Sequence, residues 1–91
     1  MLIRNKVNNI NLVELTEFIV KSLVVNSENV SVKEFESDEE NTVLIQVLVD
    51  SEDMGRIIGK GGKIANAVRT LIQASSYIKD NKRIKVNIDS F

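Results

Sequence analysis

The 91-residue sequence contains no cysteine and no histidine, and it has only four aromatic residues. The lack of cysteine excludes a disulfide framework and thiolate chemistry. The lack of histidine removes the commonest general acid/base and the commonest metal ligand. There is also no run of 18 apolar residues and no signal-peptide segment at the start, so the sequence predicts no membrane span and a cytoplasmic location.

Catalysis finds little support in the remaining polar residues. The carboxylates concentrate in an acidic stretch, "SDEEN" at 37–41, which lacks the spaced ligands and the glycine of a calcium loop. No nucleophile has a base near it in the pattern, and no metal-ligand cluster is visible. We therefore expect a protein that is not an enzyme and that uses no cofactor.

Charge is strongly segregated along the chain although the net charge is only -1. Nine acidic residues lie between Glu28 and Asp53, against Lys33 alone. Eight basic residues lie between Met54 and Ile88, against one acid. Pairing of opposite charges across the fold accounts for some of this pattern. The basic half nevertheless suggests an anionic partner.

Periodicity predicts one domain of α+β class over residues 11–91, with residues 1–10 as a loose extension. A helix capped by Asn11 precedes two strands, 30–36 and 42–50, joined as a hairpin in which the first strand has a bulge or an edge position. A short helix near 54–59, a long helix from 63 to about 77 and a strand over 83–89 complete the order α-β-β-α-α-β. Three helices then cover one face of a three-stranded sheet.

The apolar spacing also predicts which face of each long helix is buried. In the first helix the predicted core positions are Leu12, Leu15, Phe18, Ile19, Ser22 and Leu23. In the long helix they are Ile64, Ala67, Val68, Leu71, Ile72, Ser75 and Ile78.

All four glycines of the chain lie between residues 54 and 68, and three of them form the stretch "GKGG" at 59–62. One glycine is enough for a sharp corner between two helices. Three in four positions leave the backbone bare, so that another molecule can approach it. The next helix begins at once and presents its N-terminus, while Lys60, Lys63 and Arg56 add positive charge. This combination indicates a site for a phosphate chain.

Two nucleotide-binding loops are excluded by their spacing. The P-loop requires a hydroxyl residue after its lysine, but Gly61 follows Lys60 and Ile64 follows Lys63. The dinucleotide fingerprint G-x-G-x-x-G fails on the spacing of the glycines, and a helix stands where a strand should precede it.

The stretch "IIGKGGK" resembles the I-G-x-x-G signature of KH domains, and the element order is similar to the type II KH fold. In that family the GXXG loop clamps about four nucleotides of single-stranded RNA. The small size resembles the KhpA family of single-KH bacterial proteins. That resemblance implies a homodimer or a complex with a larger KH-containing partner of the KhpB (Jag) type, and a role as RNA chaperone or post-transcriptional regulator linked to cell shape and envelope growth. One departure is Ala65, where many KH domains have isoleucine.

The predicted RNA-binding residues combine the loop, its charges and its apolar flanks. They are Gly59, Lys60, Gly61, Gly62, Lys63, Arg56, Ile58, Ile64 and Arg69. Ile57 and Val68 are further candidates for an apolar floor. A core role suits each of Ile57, Ile58, Ile64 and Val68 at least as well, and a solvated side chain explains Arg69 equally. The few aromatic residues exclude a stacking platform of the RRM or OB kind. The competing hypothesis is a protein-interaction or dimerisation module that uses the glycine turn and the apolar groove, in which neutralising Lys60 has no effect.

Overall fold

The computed structural model describes residues 11–79 and 81–91, so the predicted extension at 1–10 lies outside the described residues. The helices are α1 (Leu12–Leu23), α2 (Met54–Ile58) and α3 (Lys63–Lys79), and the strands are β1 (Ser31–Glu36), β2 (Thr42–Val49) and β3 (Arg83–Ser90). Short 3-10 turns lie at Ser27–Asn29, Ser51–Asp53 and Lys60–Gly62. The predicted order α-β-β-α-α-β is confirmed.

The three strands form one mixed sheet in the order β1-β2-β3. β1 and β2 are antiparallel, as expected of a hairpin, and β2 and β3 are parallel because the chain crosses through α2 and α3 between them. The register of β1 runs without interruption from Ser31 opposite Leu48 to Glu36 opposite Val43. The irregular alternation of β1 therefore reflects its edge position, and the pairing contains no bulge.

The helices cover one face of the sheet, and the core lies between the two layers. Its largest fully buried apolar side chains are Ile45, Ile57, Ile72, Val20, Val47 and Val49. Each contributes about 1.5 to 3 kcal/mol by leaving water, so this layer is the main source of stability.

The buried face of α1 differs from the predicted one. Of the predicted positions, Leu12 is buried and Ile19 and Leu23 pack partly buried against the core, whereas Phe18 is 73% exposed. Thr16 and Val20 are fully buried although the spacing does not predict them. Thr16 tolerates burial because its hydroxyl donates to the Leu12 carbonyl at 2.7 Å. The predicted N-cap is confirmed, since the Asn11 side chain accepts from the Glu14 N–H at 2.7 Å.

The buried face of α3 is also rotated from the predicted one. Val68 and Ile72 are buried as predicted and Ile64 packs against the core, while Ala65 and Ser76 are buried although the spacing does not predict them. Leu71 and Ile78, both predicted as core, are exposed, the latter to 88%. Ser76 is buried because its hydroxyl donates to the Lys82 carbonyl at 2.8 Å, which leaves it no unsatisfied polar group.

Asp53 is a carboxylate with only 1% of its surface exposed, and it ties the end of α1 to the start of α2. It accepts from the N–H groups of Val25 and Asn26, both at 3.0 Å, and from the Asn26 side-chain amide at 3.1 Å. The bond from Val25 is the main cause that holds the pKa of Asp53 below its ordinary value. Asn26 and nearby Arg56 add to this effect, and burial opposes it.

Replacing Asp53 by asparagine is expected to lower the melting temperature at pH 7 by roughly 10 °C, because the charge is lost and the Val25 N–H would face an amide N–H₂ group when the amide oxygen accepts from Asn26. Since folding lowers this pKa, the ionised carboxylate stabilises the fold above the ordinary aspartate pKa of about 4, and the contribution is lost as the pH falls through the folded value. The difference in melting temperature between the variant and the wild type should therefore become smaller as the pH is lowered from 7 to 3.

Thermal melts followed by circular dichroism at both pH values measure this effect. Asp38→Asn, in the exposed acidic hairpin, is the control and should melt like the wild type. A pH-independent difference for Asp53→Asn would contradict the role assigned to the ionised carboxylate.

Candidate functional site

The glycine stretch forms a tight turn between α2 and α3. Gly59 ends α2 with φ 71° and ψ 175°, Gly61 has φ 65° and Gly62 has φ 78°. The first of these is a conformation that essentially only glycine adopts, and the other two are left-handed. The turn is closed by the Gly62 N–H, which donates to the Gly59 carbonyl at 3.2 Å. Because the turn is short, α3 begins directly after Gly62, with Lys63 in the first helical position.

The two sides of this turn have different surroundings. A Cβ atom placed on Gly59 would lie 2.3 Å from Cγ1 of Ile64, so this glycine permits the turn to fold back on α3. A Cβ atom placed on Gly61 would meet nothing within 4 Å. The outer side of the turn is therefore bare backbone that a ligand can reach.

Positive charge and free donors gather on that outer side. Lys60 and Lys63 are exposed, and no acid of the described chain lies within 4 Å of either ammonium group. The backbone N–H groups of Lys60 and Gly61 are the first of the 3-10 turn Lys60–Gly62, and the first N–H groups of a helical segment have no partner within it. Arg56 contributes less, because its Nε lies 3.9 Å from Asp53. Two uncompensated ammonium groups beside the first N–H groups of a helical turn suit an anionic oxygen ligand such as a phosphate.

The apolar residues beside the turn divide into two groups. Ile58 and Ile64 are half-buried and flank the glycines, so they can contact a ligand. Ile57 and Val68 are completely enclosed by the core. They therefore support the turn from below and do not form the floor of a groove.

Beyond the turn, α3 runs beside the open edge of β3, and two side chains bridge the gap. Arg69 Nε donates to the Val86 carbonyl at 3.1 Å. Gln73 accepts from the Ile84 N–H at 2.8 Å and donates to the Lys82 carbonyl at 2.9 Å. Arg69 is thus held by hydrogen bonds at the strand edge and does not project freely into solvent.

A groove of about 430 Å³ lies between this part of α3 and β3, and its lining is Arg69, Thr70, Gln73, Ala74, Tyr77 and Ile84. Of these, only Arg69 is among the site residues that the sequence predicts. The sequence does show one polar face of α3, at positions 66, 69, 70, 73 and 77. The sequence gives no sign that the edge of β3 lies opposite that face.

Within residues 11–79 and 81–91, no three His, Cys, Asp or Glu side chains come together as metal ligands. No helix in the same ranges has the length and apolarity to cross a bilayer.

Comparison with known families matches residues 13–88 to the family described as KhpA/KhpB, KH domain. The RNA-binding protein KhpA of Clostridium perfringens is 45% identical over 75 residues, which are 82% of this chain and 96% of that protein. The RNA-binding protein KhpA of Borreliella burgdorferi is 41% identical over 78 residues, covering 86% and 92% respectively.

Among solved structures, the fold is similar to part of Era. An Aquifex aeolicus Era variant bound to GDP·AlF4− aligns with a TM-score of 0.64 and 18% identity, over 88% of this chain and 30% of Era. A complex of Era with MgGDPNP and nucleotides 1506–1542 of 16S ribosomal RNA aligns with a TM-score of 0.62 and 18% identity, over 87% and 29%. At this identity the likeness concerns the fold alone.

Proposed function

This chain belongs to the KhpA/KhpB family of KH domains, and on that basis we propose that it binds single-stranded RNA through the GXXG loop, residues 59–62. The observation that carries the proposal is the outer side of the loop, where bare backbone, the first N–H groups of a helical turn and two lysines with no acid within 4 Å among the described residues coincide. The relatives named RNA-binding protein KhpA support the same ligand.

In this proposal the phosphates lie on the loop and the bases point into the groove between α3 and β3. Lys60 and Lys63 contact the phosphate oxygens, and Ile58 and Ile64 contact the sugars and base faces. Arg69 uses two of its five N–H donors on Val86 and Asn66, which leaves three for the RNA.

The free edge of β3 supplies further groups for the bases. The backbone groups of successive residues in a strand point to opposite edges. The Ile84 N–H and the Val86 carbonyl, which bond Gln73 and Arg69, point to the free edge. The N–H of Val86 and the N–H and carbonyl of Ile88 therefore point to the same edge. These three groups lie on the part of β3 nearer the loop, because α3 and β3 run in opposite directions. Such groups hydrogen-bond base edges in single strands, where those edges are not paired.

A clamp of about four nucleotides with few ionic contacts gives modest affinity, which a second RNA-binding unit would raise through avidity. We propose a homodimer or a complex with a larger KH-containing protein of the KhpB type as the source of that unit. The biological role that the family resemblance supports is RNA chaperoning or post-transcriptional regulation in the cytoplasm, linked to cell shape and envelope growth. No catalytic step forms part of the proposal.

The test is fluorescence anisotropy with an unstructured 8-nucleotide RNA and a duplex of the same sequence. We expect the affinity for the single strand to fall about tenfold between 50 and 200 mM salt, which is the salt dependence of two or three neutralised phosphates. We expect the duplex to bind much more weakly than the single strand. Binding that ignores salt, or equal binding of both RNAs, would contradict the proposal. A chain that self-associates without binding either RNA would favour the protein-interaction module.

A further inference from the structure

The short helix α2 carries the glycine loop, and its five residues are too few to hold a position of their own. Helices of this length do not persist alone in water, so α2 depends on contacts with the rest of the domain. The loop is joined to it directly, because the Gly59 N–H donates to the Gly55 carbonyl at 2.9 Å and closes the end of α2. Any tilt of α2 therefore moves the loop and Lys60 with it.

The apolar contacts of α2 hold it against the core without fixing its orientation. Ile57 is its one fully buried residue, and Met54 packs partly buried against the core. Apolar burial is non-directional, so these two side chains leave α2 able to tilt. The directional contact comes from Asp53, the residue directly before α2, which is 1% exposed.

The carboxylate of Asp53 is held at both of its oxygens. Oδ1 accepts from the Val25 N–H and Oδ2 from the Asn26 N–H, both at 3.0 Å, and the Asn26 side-chain amide donates to Oδ2 at 3.1 Å. Donors on both oxygens fix the plane of a carboxylate as well as its position. The start of α2 is thereby located relative to the chain that leaves α1.

The distance between Asp53 and the loop converts a small change of angle into a large displacement. Gly59 follows Asp53 by six residues, which at about 1.5 Å each place the loop roughly 9 Å along α2. A tilt of about 10° at Asp53 would move the loop by roughly 1.5 Å over that length. Hydrogen bonds to phosphate oxygens do not survive such a displacement, since their donor–acceptor distances span only about 2.7 to 3.2 Å.

We propose that Asp53 is a positioning residue for RNA binding, which fixes α2 to the end of α1 and thereby holds the glycine loop in place against the RNA phosphates. The inference rests on the proposed function and adds to it a residue that does not itself contact RNA. Asp53 is absent from the site residues that the sequence predicts, because its donors lie 27 and 28 positions earlier in the chain.

The negative charge of Asp53 makes the sign of the effect decisive. A carboxylate this close to the loop repels bound phosphates, and its Oδ1 lies 3.9 Å from Nε of Arg56. If charge alone mattered, its removal would strengthen RNA binding, because the repulsion would end and Arg56 would be released. A positioning role predicts weaker binding, because an amide has one accepting oxygen where the carboxylate has two.

The experiment measures the affinity of Asp53→Asn for an unstructured 8-nucleotide RNA by fluorescence anisotropy, at a low temperature where circular dichroism shows the variant folded. We expect binding at least about fivefold weaker than that of the wild type. The loop amide signals at 59–63 of the RNA-free variant should also differ from those of the wild type in two-dimensional NMR spectra. Asn26→Ala removes one of the three donors and keeps the charge of Asp53, so it should remain folded and weaken binding by a smaller factor.

Two controls separate positioning from charge and from stability. Glu52→Gln removes the same charge from the neighbouring residue, whose exposed side chain has no ion-pair partner among the described residues. It should bind RNA as tightly as the wild type or slightly more tightly. Leu12→Ala removes buried apolar contacts at the opposite end of α1, so it should lower the melting temperature and leave the RNA affinity unchanged.

The possible failures are distinguishable. A folded Asp53→Asn variant that binds RNA as tightly as Glu52→Gln overturns the positioning role and leaves the proposed function in place. Should Asp53→Asn not fold, wild-type affinity of Asn26→Ala has the same consequence. An equal loss of affinity in Leu12→Ala also overturns the positioning role, since lower stability alone would explain the effect. A wild type that binds no RNA overturns the proposed function and the positioning role together.

Discussion

Replacing Lys60 and Gly61 together by aspartate is expected to lower the affinity for single-stranded RNA at least 20-fold while leaving the fold intact. The loss follows because two carboxylates would replace an ammonium group and bare backbone at the phosphate contacts, where charge-assisted hydrogen bonds matter most. The fold survives because no atom lies within 4 Å of a Cβ at Gly61, and aspartate tolerates the left-handed backbone found there.

The matched control carries the same change of charge on the opposite side of the molecule. Lys33 is exposed and Ser31 is half-buried on the sheet face that the helices leave open, and both lie on β1, at the other edge of the sheet from β3. The double variant Ser31→Asp, Lys33→Asp should bind RNA within about threefold of the wild type, because salt screens charges at that separation. If the folded loop variant binds as well as this control, the glycine turn is a structural corner or a protein interface and not a phosphate clamp.

Replacing Gly59 by alanine is expected to destabilise the domain by about 3 kcal/mol or more, far beyond the same change at Gly61. Gly59 combines a backbone conformation that essentially excludes side chains with a Cβ position 2.3 Å from Cγ1 of Ile64. Gly61 has a left-handed backbone in open space, so alanine there costs only about 1 to 2 kcal/mol.

Urea unfolding of both glycine variants, followed by circular dichroism, measures this difference. Equal destabilisation of the two would show that the contact between Gly59 and Ile64 does not constrain the turn. The contrast also guides the choice of variants, since a substitution at Gly59 would confuse loss of the fold with loss of RNA binding.

Much of the architecture is predictable because it depends on local signals. The Asn11 cap, the alternation of β2 and the glycine break between α2 and α3 each define an element without reference to the rest of the chain. Their order then limits the possible folds to one sheet with helices on one face.

The faces of the helices are less predictable, because hydropathy alone ranks a hydroxyl residue below an apolar one. Thr16 and Ser76 are buried since each hydroxyl finds a backbone carbonyl, and the second of these carbonyls belongs to the segment that enters β3. Phe18 and Ile78 remain on the surface although they are larger and more apolar. Tertiary packing decides between such residues, and single-sequence periodicity does not contain it.

The candidate site shows the same division. The glycines and their lysines are contiguous in sequence, so their joint presence in one turn is predictable. The groove wall depends on Gln73 and Arg69 meeting the edge of β3, a contact between elements that periodicity treats separately. Tyr77 owes its place in the groove to that same contact.

The most direct measurement of the central claim is a two-dimensional NMR titration of the isotopically labelled protein with an unstructured 8-nucleotide RNA. The account predicts that the amide signals that shift belong to the loop at 59–63, the exposed face of α3 and the β3 edge at 84–88. Signals from the open sheet face, including Lys33 and Gln46, should stay in place. Shifts centred on that sheet face, or on the exposed side of α1, with an unaffected glycine loop would contradict the account.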